Sequence, residues 1–325
     1  MAIKFRQKPN LKHVPTRDGF GEGLILAAQK NKKIVALSAD LTESTRCESF
    51  KQKFPERFIQ LGVAEQSMAS IAAGLALGGK IPFITSYAIF SPGRNWEQIR
   101  TNIALQKTNV KIVGSHAGLN VGPDGATHQM LEDIALTRVL PNMTVIVPCD
   151  AVEAKKTILA AAKINGPVYL RLAREASPVF TNPLTPFKVG RAEIFHKGND
   201  ATIIAAGPIL FEALKAAVNL KQKNGINVRV INCHTIKPLD TKTILTAAKQ
   251  TGAVVSVEEH MIAGGLGSAV AELLSANHPV PMEFIGVKDR FGESGKPEEL
   301  LEKYGLKSKD IMAAVIKVIK RKINK

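Results

Sequence analysis

Short runs of apolar and β-branched residues alternate along the chain with longer segments whose apolar positions recur every three or four residues. Runs of the first kind predict strands, and segments of the second kind predict amphipathic helices. This alternation is typical of a parallel sheet covered by helices on both faces. In the N-terminal part of the chain, the predicted strands are residues 34–38, 82–86, 110–114, 144–147 and 168–172.

A stretch rich in proline and threonine, residues 177–188, interrupts the alternation and indicates a domain boundary. A second alternating series follows, with predicted strands at residues 201–206, 227–232, 253–258 and 282–287. We therefore predict an α/β protein of two domains, each with a mainly parallel sheet and helices on both faces. The predicted domains are residues 1–180 and 191–325, joined by a linker at residues 181–190.

Composition narrows the class of protein. The 325 residues are 45% hydrophobic and 22% charged, as in ordinary globular domains. We find no apolar run of the ~18 residues needed to span a membrane, and no secretory signal in the basic N-terminus, so we expect a cytoplasmic protein. The three cysteines, Cys47, Cys149 and Cys233, are far apart and lack metal-site spacing. We expect buried, unreactive thiols and no metal site.

The net charge of +16 favours an anionic partner, but charge alone does not identify it. Aromatic residues make up only 5% of the chain, and no stretch interleaves them with Lys and Arg as a nucleic-acid stacking surface would. The densest basic run, residues 317–325, ends an amphipathic helix. We therefore interpret much of the excess charge as a solvated surface and predict no binding to nucleic acid or membranes.

Four segments lie where predicted strands end, the edge at which open α/β sheets place ligand sites. The first is Gly-Val-Ala-Glu-Gln at residues 62–66, which precedes a helix predicted at residues 67–78. A carboxylate such as Glu65 at a helix start can simply complement the helix dipole, worth ~0.3–1 kcal/mol. Spacing alone favours this structural interpretation over a functional one.

The second segment is a glycine-punctuated loop, residues 121–129, which presents Asp124 and His128 before a predicted helix. A carboxylate and an imidazole four residues apart suit proton transfer to and from hydroxyl groups, because histidine titrates near neutral pH. The alternative is that Thr127 caps the helix and that His128 lies on the surface. The residues alone leave both interpretations open.

The third segment combines residues 16–19 with residues 38–44, and the fourth is residues 171–174. Arg17 and Arg174 are candidate phosphate-binding residues, because the planar guanidinium group pairs with two phosphate oxygens. Without further context, a surface ion pair is the simpler interpretation of each arginine.

Together these segments resemble the transketolase family, from about residue 16 to residue 305. The matching phrases are Leu-Ser-Ala-Asp-Leu at 37–41, Gln-Leu-Gly-Val-Ala-Glu-Gln at 60–66, Gly-Pro-Asp-Gly-Ala-Thr-His-Gln at 122–129 and Pro-Asn-Met at 141–143. Their order and spacing are far more specific than a single glycine motif. The resemblance implies a pyrimidine-binding domain for thiamine diphosphate at residues 1–180 and a transketolase C-terminal domain at residues 191–325.

The resemblance implies a catalytic role for Glu65. In the family, the glutamate at this position contacts the pyrimidine ring of the coenzyme and promotes deprotonation of its reactive carbon, which requires a carboxyl group in a dry environment. Phe90 and Tyr87 match rings that pack on the pyrimidine, although both could be core residues. Asp40 matches a residue near the thiazolium ring.

The resemblance also implies which residues bind the sugar phosphate. Asp124 and His128 match residues that contact hydroxyl groups of the donor ketose, and they complete the candidate catalytic set with Glu65. The remaining candidates for phosphate and hydroxyl contacts are Arg17, Ser44, His116 and Arg174.

Two features depart from the family pattern. Transketolases have an aromatic residue at position 93, whereas this chain has Gly93 followed by Arg94. The chain also lacks the Gly-Asp-Gly motif with which full-length relatives hold the diphosphate and its metal, Mg²⁺ or Ca²⁺. We therefore predict a separate N-terminal-half subunit that holds the metal, in a heterotetramer whose active sites lie at subunit interfaces.

The implied reaction is transfer of a two-carbon ketol unit between sugar phosphates, as in the pentose phosphate pathway. An alternative is a half subunit like 1-deoxy-D-xylulose-5-phosphate synthase, which condenses pyruvate with glyceraldehyde 3-phosphate; residues 38–42 and His116 favour transketolase. The beta subunits of α-keto-acid dehydrogenases lack the Asp-Gly-x-Thr-His-Gln phrase. A non-catalytic assembly subunit is an alternative of another class, but the matched positions other than 93 carry competent residues.

In the second domain, Glu-Glu-His at residues 258–260 and the glycines of residues 263–267 resemble a dinucleotide-binding fingerprint. The glycine spacing is incomplete, so tight packing of a strand against a helix is the preferred interpretation. We expect His260 to be structural or to lie at a dimer interface.

Overall fold

The computed structural model describes residues 11–323. The strands of its N-terminal part are β1 (His13–Pro15), β2 (Ile34–Ser38), β3 (Phe58–Gln60), β4 (Ile81–Tyr87), β5 (Lys111–Ser115), β6 (Thr144–Ile146), β7 (Val168–Arg171) and β8 (Ala176–Pro178). The helices are α1 (Thr16–Lys30), α2 (Glu48–Lys53), α3 (Glu65–Leu77), α4 (Trp96–Gln98), α5 (Asp133–Arg138) and α6 (Ala151–Ala161). A π-helical segment, Ile99–Ala104, extends α4.

The C-terminal part is built in the same way. Its strands are β9 (Glu193–His196), β10 (Thr202–Ala205), β11 (Arg229–Asn232), β12 (Thr235–Lys237), β13 (Val254–Met261) and β14 (Met282–Val287). Its helices are α7 (Leu210–Asn224), α8 (Thr241–Thr251), α9 (Leu266–Asn277), α10 (Pro297–Lys303) and α11 (Ser308–Ile323).

In the described part of the chain, the first sheet has the strand order β12-β6-β7-β5-β4-β2-β3 and the second has the order β14-β13-β10-β11-β9. Within these two sheets, all pairings are parallel except those of the edge strands β12 and β9. The inner strands are buried on both faces, and every residue of β2 and β10 is buried. This burial explains why their sequences are continuous apolar runs. The two-domain α/β prediction is confirmed.

Each of the nine predicted strands forms, with its ends shifted by at most three residues. The sequence did not indicate β1, β3, β8, β9 or β12, which are three or four residues long and lie at sheet edges or in the two-stranded pair of β1 with β8. Short edge strands need no apolar run, because one side stays open to solvent. The helix predicted at residues 67–78 begins two residues earlier, at Glu65.

The two domains share a boundary that is both apolar and hydrogen-bonded. β12 pairs antiparallel with β6, so a strand from beyond the predicted linker extends the first sheet. A single apolar cluster joins Val145 and Val147 to Ile204 and Ile231 across the boundary. The described cysteines are free and buried, as expected. Among residues 11–323, no helix is both long enough and apolar enough to cross a bilayer.

Candidate active site

The loops after β2, β4, β5 and β7 meet at one edge of the first sheet, because these strands are parallel and adjacent in the order β7-β5-β4-β2. The candidate residues at or beyond the ends of these strands are Asp40, Ser44, Tyr87, Phe90, His116 and Arg174. Arg17 reaches the same edge from the first turn of α1, and Glu65 from the first residue of α3. The fold thus brings residues from six segments of the chain to one edge.

Glu65 is a buried carboxylate with an arginine partner. Its side chain is 2% exposed, and its Oε2 accepts a hydrogen bond of 2.9 Å from Nη1 of Arg94. Its backbone carbonyl accepts a second bond, 3.0 Å long, from Nδ2 of Asn95. A helix-dipole complement needs no burial, and burying a charge is costly without a partner. The guanidinium of Arg94 supplies that partner while 47% of its side chain remains exposed.

The ring of Phe90 lies directly beside this ion pair. The guanidinium carbon of Arg94 is 4.6 Å from the ring centroid, which is a favourable cation–π distance. The imidazole of His128 meets the ring edge-on at 5.6 Å, and Tyr87 is stacked at 6.1 Å. Arg94 therefore pairs with the carboxylate of Glu65 and also covers a face of the Phe90 ring. Sequence reasoning noted Arg94 but did not foresee this contact.

His116 connects the aromatic residues to Arg17. Tyr87 stacks on its ring at 3.8 Å, and Nη1 of Arg17 lies 3.2 Å from its Nε2. Because arginine can only donate, Nε2 accepts, and Nδ1 then donates to Oγ of Ser115 at 2.9 Å. Burial, and to a lesser extent the neighbouring Arg17, lower the pKa of His116 to about 3. His116 is a neutral imidazole at physiological pH.

Arg17 is the centre of a cationic cluster. Burial lowers its pKa, and the nearby Arg46 and Arg174 act in the same direction while Asp18 opposes them. Nη1 of Arg17 also donates to the backbone carbonyl of Ser44 at 2.9 Å. Its Nε is buried and has no hydrogen-bond partner. Crowded cations with an unused donor make this edge favourable for an anion. Arg46 was not among the residues predicted from the sequence.

Asp124 is the last residue of a 3₁₀ turn at Leu119–Asp124, and His128 lies in the loop that follows. Nη1 of Arg174 donates to the carbonyl of Val121 at 2.5 Å and lies 3.4 Å from Oδ1 of Asp124. The alternative in which Thr127 caps a helix is wrong, because the next helix begins only at Asp133. The hydroxyl of Thr127 instead lies 2.9 Å from Nδ1 of His128.

Asp40 is exposed at the end of β2, with a positive φ of 61°. Its backbone N–H donates to Oε1 of Gln60 at 2.9 Å, and Nε2 of Gln60 donates to Oγ1 of Thr42. Gln60 therefore holds the turn that carries Asp40. Sequence reasoning quoted Gln60 within a matching phrase but assigned it no role.

The glycines at the start of α9 pack around a buried carboxylate. Glu258 accepts hydrogen bonds from the backbone N–H groups of Leu266 and Gly267 at 2.7 and 2.8 Å, and burial raises its pKa to about 7. This carboxylate takes the place that a nucleotide phosphate would need at the helix start. His260 is fully buried, with Nδ1 2.7 Å from the carbonyl of Met261. Its surroundings are those of a structural histidine.

Comparison with known proteins gives matches over nearly the whole chain. Residues 12–179 match the transketolase pyrimidine-binding domain, and residues 190–311 match the transketolase C-terminal domain. A putative transketolase C-terminal section of Methanocaldococcus jannaschii is 45% identical over 94% of this chain and 96% of its own length. The 6-deoxy-6-sulfo-D-fructose transketolase subunit SqwH of a Clostridium species is 42% identical over 94% of this chain and 95% of its own length.

A solved structure described as a split gene transketolase, inactive beta4 tetramer, superposes with a TM-score of 0.89 at 47% identity. It covers 95% of this chain and 99% of its own. Sequence and fold thus agree over nearly the whole of both chains. The chain belongs to the transketolase family and corresponds to the C-terminal subunit of a split transketolase.

Proposed function

We propose that this chain is the pyrimidine-binding subunit of a thiamine-diphosphate-dependent transketolase that moves a two-carbon ketol unit between sugar phosphates. The observation that carries the proposal is that Arg94 contacts both a buried carboxylate, Glu65, and the half-buried ring of Phe90. The cationic cluster around Arg17 belongs to the same edge of the sheet. A buried carboxylate suits a ring nitrogen, and the cations suit a phosphate.

The residues present fit the pyrimidine half of the coenzyme. Glu65 is held at the start of α3, and a flexible, half-exposed side chain, Arg94, covers it. When this side chain moves aside, a carboxylate and an aromatic face become available together. When bound, thiamine diphosphate supplies the nucleophilic carbon that cleaves the ketose. The role of Glu65 is to hold and exchange a proton at the pyrimidine nitrogen.

We assign the phosphate of the donor sugar to Arg17, Arg174 and His116, with Ser44 beside them. Arg17 has an unpaired buried donor at Nε, and Arg174 is part-buried with two donors engaged by the loop. His116 is neutral and accepts from Arg17 at Nε2, so its part is to hold the Arg17 guanidinium in place. Arginine forks bind phosphate oxygens in pairs, which favours phosphorylated over plain sugars.

We assign the hydroxyl groups of the ketose to Asp124 and His128, and Asp40 to the thiazolium side of the coenzyme. His128 lies edge-on to Phe90, beside the place proposed for the pyrimidine. An imidazole can pass a proton to or from a sugar hydroxyl. Asp124 lies on the same loop and already contacts Arg174.

The diphosphate and its divalent metal require a partner, because the chain has no Gly-Asp-Gly motif. We propose a separate N-terminal-half subunit and a heterotetramer. Large apolar side chains are exposed along α3 and just before it, at Val63, Ile71 and Leu77, and are suited to such an interface. We also propose the domain limits 1–180 and 191–325, and a cytoplasmic role in the pentose phosphate pathway, since phosphorylated sugars do not cross membranes unaided.

The test is a coupled assay of the chain reconstituted with its N-terminal-half partner. Xylulose 5-phosphate plus ribose 5-phosphate is compared with pyruvate plus glyceraldehyde 3-phosphate. We expect turnover with the first pair. Turnover only with the second pair would overturn the proposal in favour of the synthase. No turnover with either pair would favour an assembly subunit.

A further inference from the structure

A glutamate of the C-terminal domain reaches the loop that carries the proposed sugar-binding residues. We call residues 118–129 the substrate loop. Glu259 lies on β13, is 6% exposed, and its Oε1 accepts hydrogen bonds from the backbone N–H and the Nδ2 of Asn120 at 2.7 and 3.0 Å. A Cβ at Gly118 would lie only 2.4 Å from this oxygen. The carboxylate is therefore in direct contact with the loop.

Asn120 is hydrogen-bonded to Arg174 as well as to Glu259. Its Oδ1 accepts hydrogen bonds from the backbone N–H groups of Arg174 and Glu175 at 2.9 and 3.4 Å. The side chain of Arg174 donates a hydrogen bond to the carbonyl of Val121 in the substrate loop. Glu259, Asn120 and Arg174 thus form a continuous hydrogen-bonded chain from the C-terminal domain to the proposed phosphate site.

The far end of the substrate loop is held by the same domain. Nε2 of Gln129 donates to the carbonyl of Glu293 at 2.9 Å. A Cβ at Gly125 would lie 2.5 Å from Oγ of Ser294, and one at Gly122 would lie 3.0 Å from Pro297. Both glycines have positive φ angles, so the loop keeps a conformation that few other sequences would adopt. Its shape depends on the surface against which it packs.

We propose that Glu259 is a positioning residue: by holding Asn120 it orients Arg174 and the substrate loop, so that the C-terminal domain determines the preference for phosphorylated donors. The preference itself rests on the proposed function. A binding group displaced by 1 Å can cost about 100-fold in rate, and a lost buried acceptor leaves two donors of Asn120 unpaired.

The kinetic test uses the reconstituted enzyme and the variants Glu259→Ala and Glu258→Ala. Glu258 is the matched control, because it lies on the same strand and is equally buried but binds the start of α9. We expect the ratio of kcat/KM for xylulose 5-phosphate to that for hydroxypyruvate, a donor without phosphate, to fall about tenfold or more in Glu259→Ala only. An equal fall in both variants would overturn the proposal.

Two further variants separate positioning from general damage. If Glu259 acts through Arg174, the double variant Glu259→Ala/Arg174→Ala should have the same ratio of kcat/KM values as Arg174→Ala alone. The two losses are then not additive. Glu259→Gln keeps an oxygen acceptor and the volume of the side chain, and it should recover most of the ratio. Independent losses in the double variant, or a glutamine variant as impaired as alanine, would count against the mechanism.

A readout without catalysis distinguishes this inference from the proposed function. In the isolated chain, hydrogen exchange of the amides of residues 118–122 should be about tenfold faster in Glu259→Ala and unchanged in Glu258→Ala. If the wild-type enzyme transfers no ketol unit, the proposed function fails, yet this exchange pattern still decides whether Glu259 holds the loop. Unchanged exchange in Glu259→Ala would refute that contact.

Discussion

At the residue scale, the buried carboxylate of Glu65 is the group on which the proposed chemistry depends most. Glu65→Gln keeps the size of the side chain but removes its capacity to exchange a proton. We expect kcat of the reconstituted enzyme to fall about 100- to 10,000-fold. Glu56→Gln changes an exposed carboxylate and should leave kcat unaltered. Undiminished turnover with Glu65→Gln, at unchanged association with the partner, would contradict the assigned role.

Arg94 covers the two groups that the coenzyme is proposed to use, so its removal should favour coenzyme binding. An ion pair with a half-exposed arginine contributes about 0.2–1 kcal/mol, and the cation–π contact about 0.5–1 kcal/mol. We expect Arg94→Met to tighten thiamine diphosphate binding by the reconstituted enzyme about three- to thirtyfold, as measured by calorimetry. Arg100→Met, at an exposed position, is the control. Weaker binding would show instead that Arg94 assists the coenzyme.

His116 should make the protein less stable in acid. Its folded pKa is about 3, below its ordinary value of 6.5, so in this window the unfolded chain binds a proton that the folded chain does not. Stability therefore rises with pH from about 3 to 6.5, by up to about 1.4 kcal/mol per pH unit for one proton. Urea unfolding of His116→Gln should show a shallower slope there than wild type. His13→Gln, at an exposed site, should not.

At the element scale, the substrate loop combines backbone strain with close packing. Gly125 has φ 74° and ψ −167°, a region essentially restricted to glycine, and it abuts Ser294. Gly225 also has a positive φ, 68°, but nothing lies within 4 Å of its Cβ position. Gly225 has ψ 6°, in the left-handed helical region, so the two glycines differ in backbone region as well as in contact. Changing Ser294 itself isolates the cost of the contact.

We expect Gly125→Ala to lower the free energy of unfolding by more than Gly225→Ala, whose cost is about 1–2 kcal/mol of backbone strain. Adding Ser294→Ala to Gly125→Ala should recover part of the difference, because it removes the Oγ contact. Urea titrations of the three variants provide the measurement. No recovery on adding Ser294→Ala would mean that the loop does not pack against the C-terminal domain as described.

At the scale of the whole molecule, the proposed coenzyme site requires a second subunit. We expect the isolated chain, titrated with thiamine diphosphate and Mg²⁺, to show no tight one-to-one binding, because it has no Gly-Asp-Gly motif for the diphosphate. Adding the N-terminal-half subunit should produce tight binding in the same calorimeter. Tight binding by the chain alone would contradict the requirement for a partner.

Much of the fold follows from sequence pattern. Strands buried on both faces leave an unbroken apolar run, as in β2 and β10, so the eight central strands were predicted, together with the edge strand β14. Edge strands such as β12 leave no such trace, since their pairing depends on β6, which is distant in the sequence. The phrases around Glu65 and His128 identified the family and the candidate residues, because spacing within a loop is local information.

The sequence by itself determined the α/β class, the family and the segments that form the site. Tertiary structure alone decided which side chains meet: that Arg94 covers Glu65 and Phe90, and that Glu259, 139 positions from Asn120, holds the substrate loop. The physical reason is that periodicity and turn chemistry act over a few residues. Burial and hydrogen bonding join groups that the packing of two sheets brings together, whatever their separation along the chain.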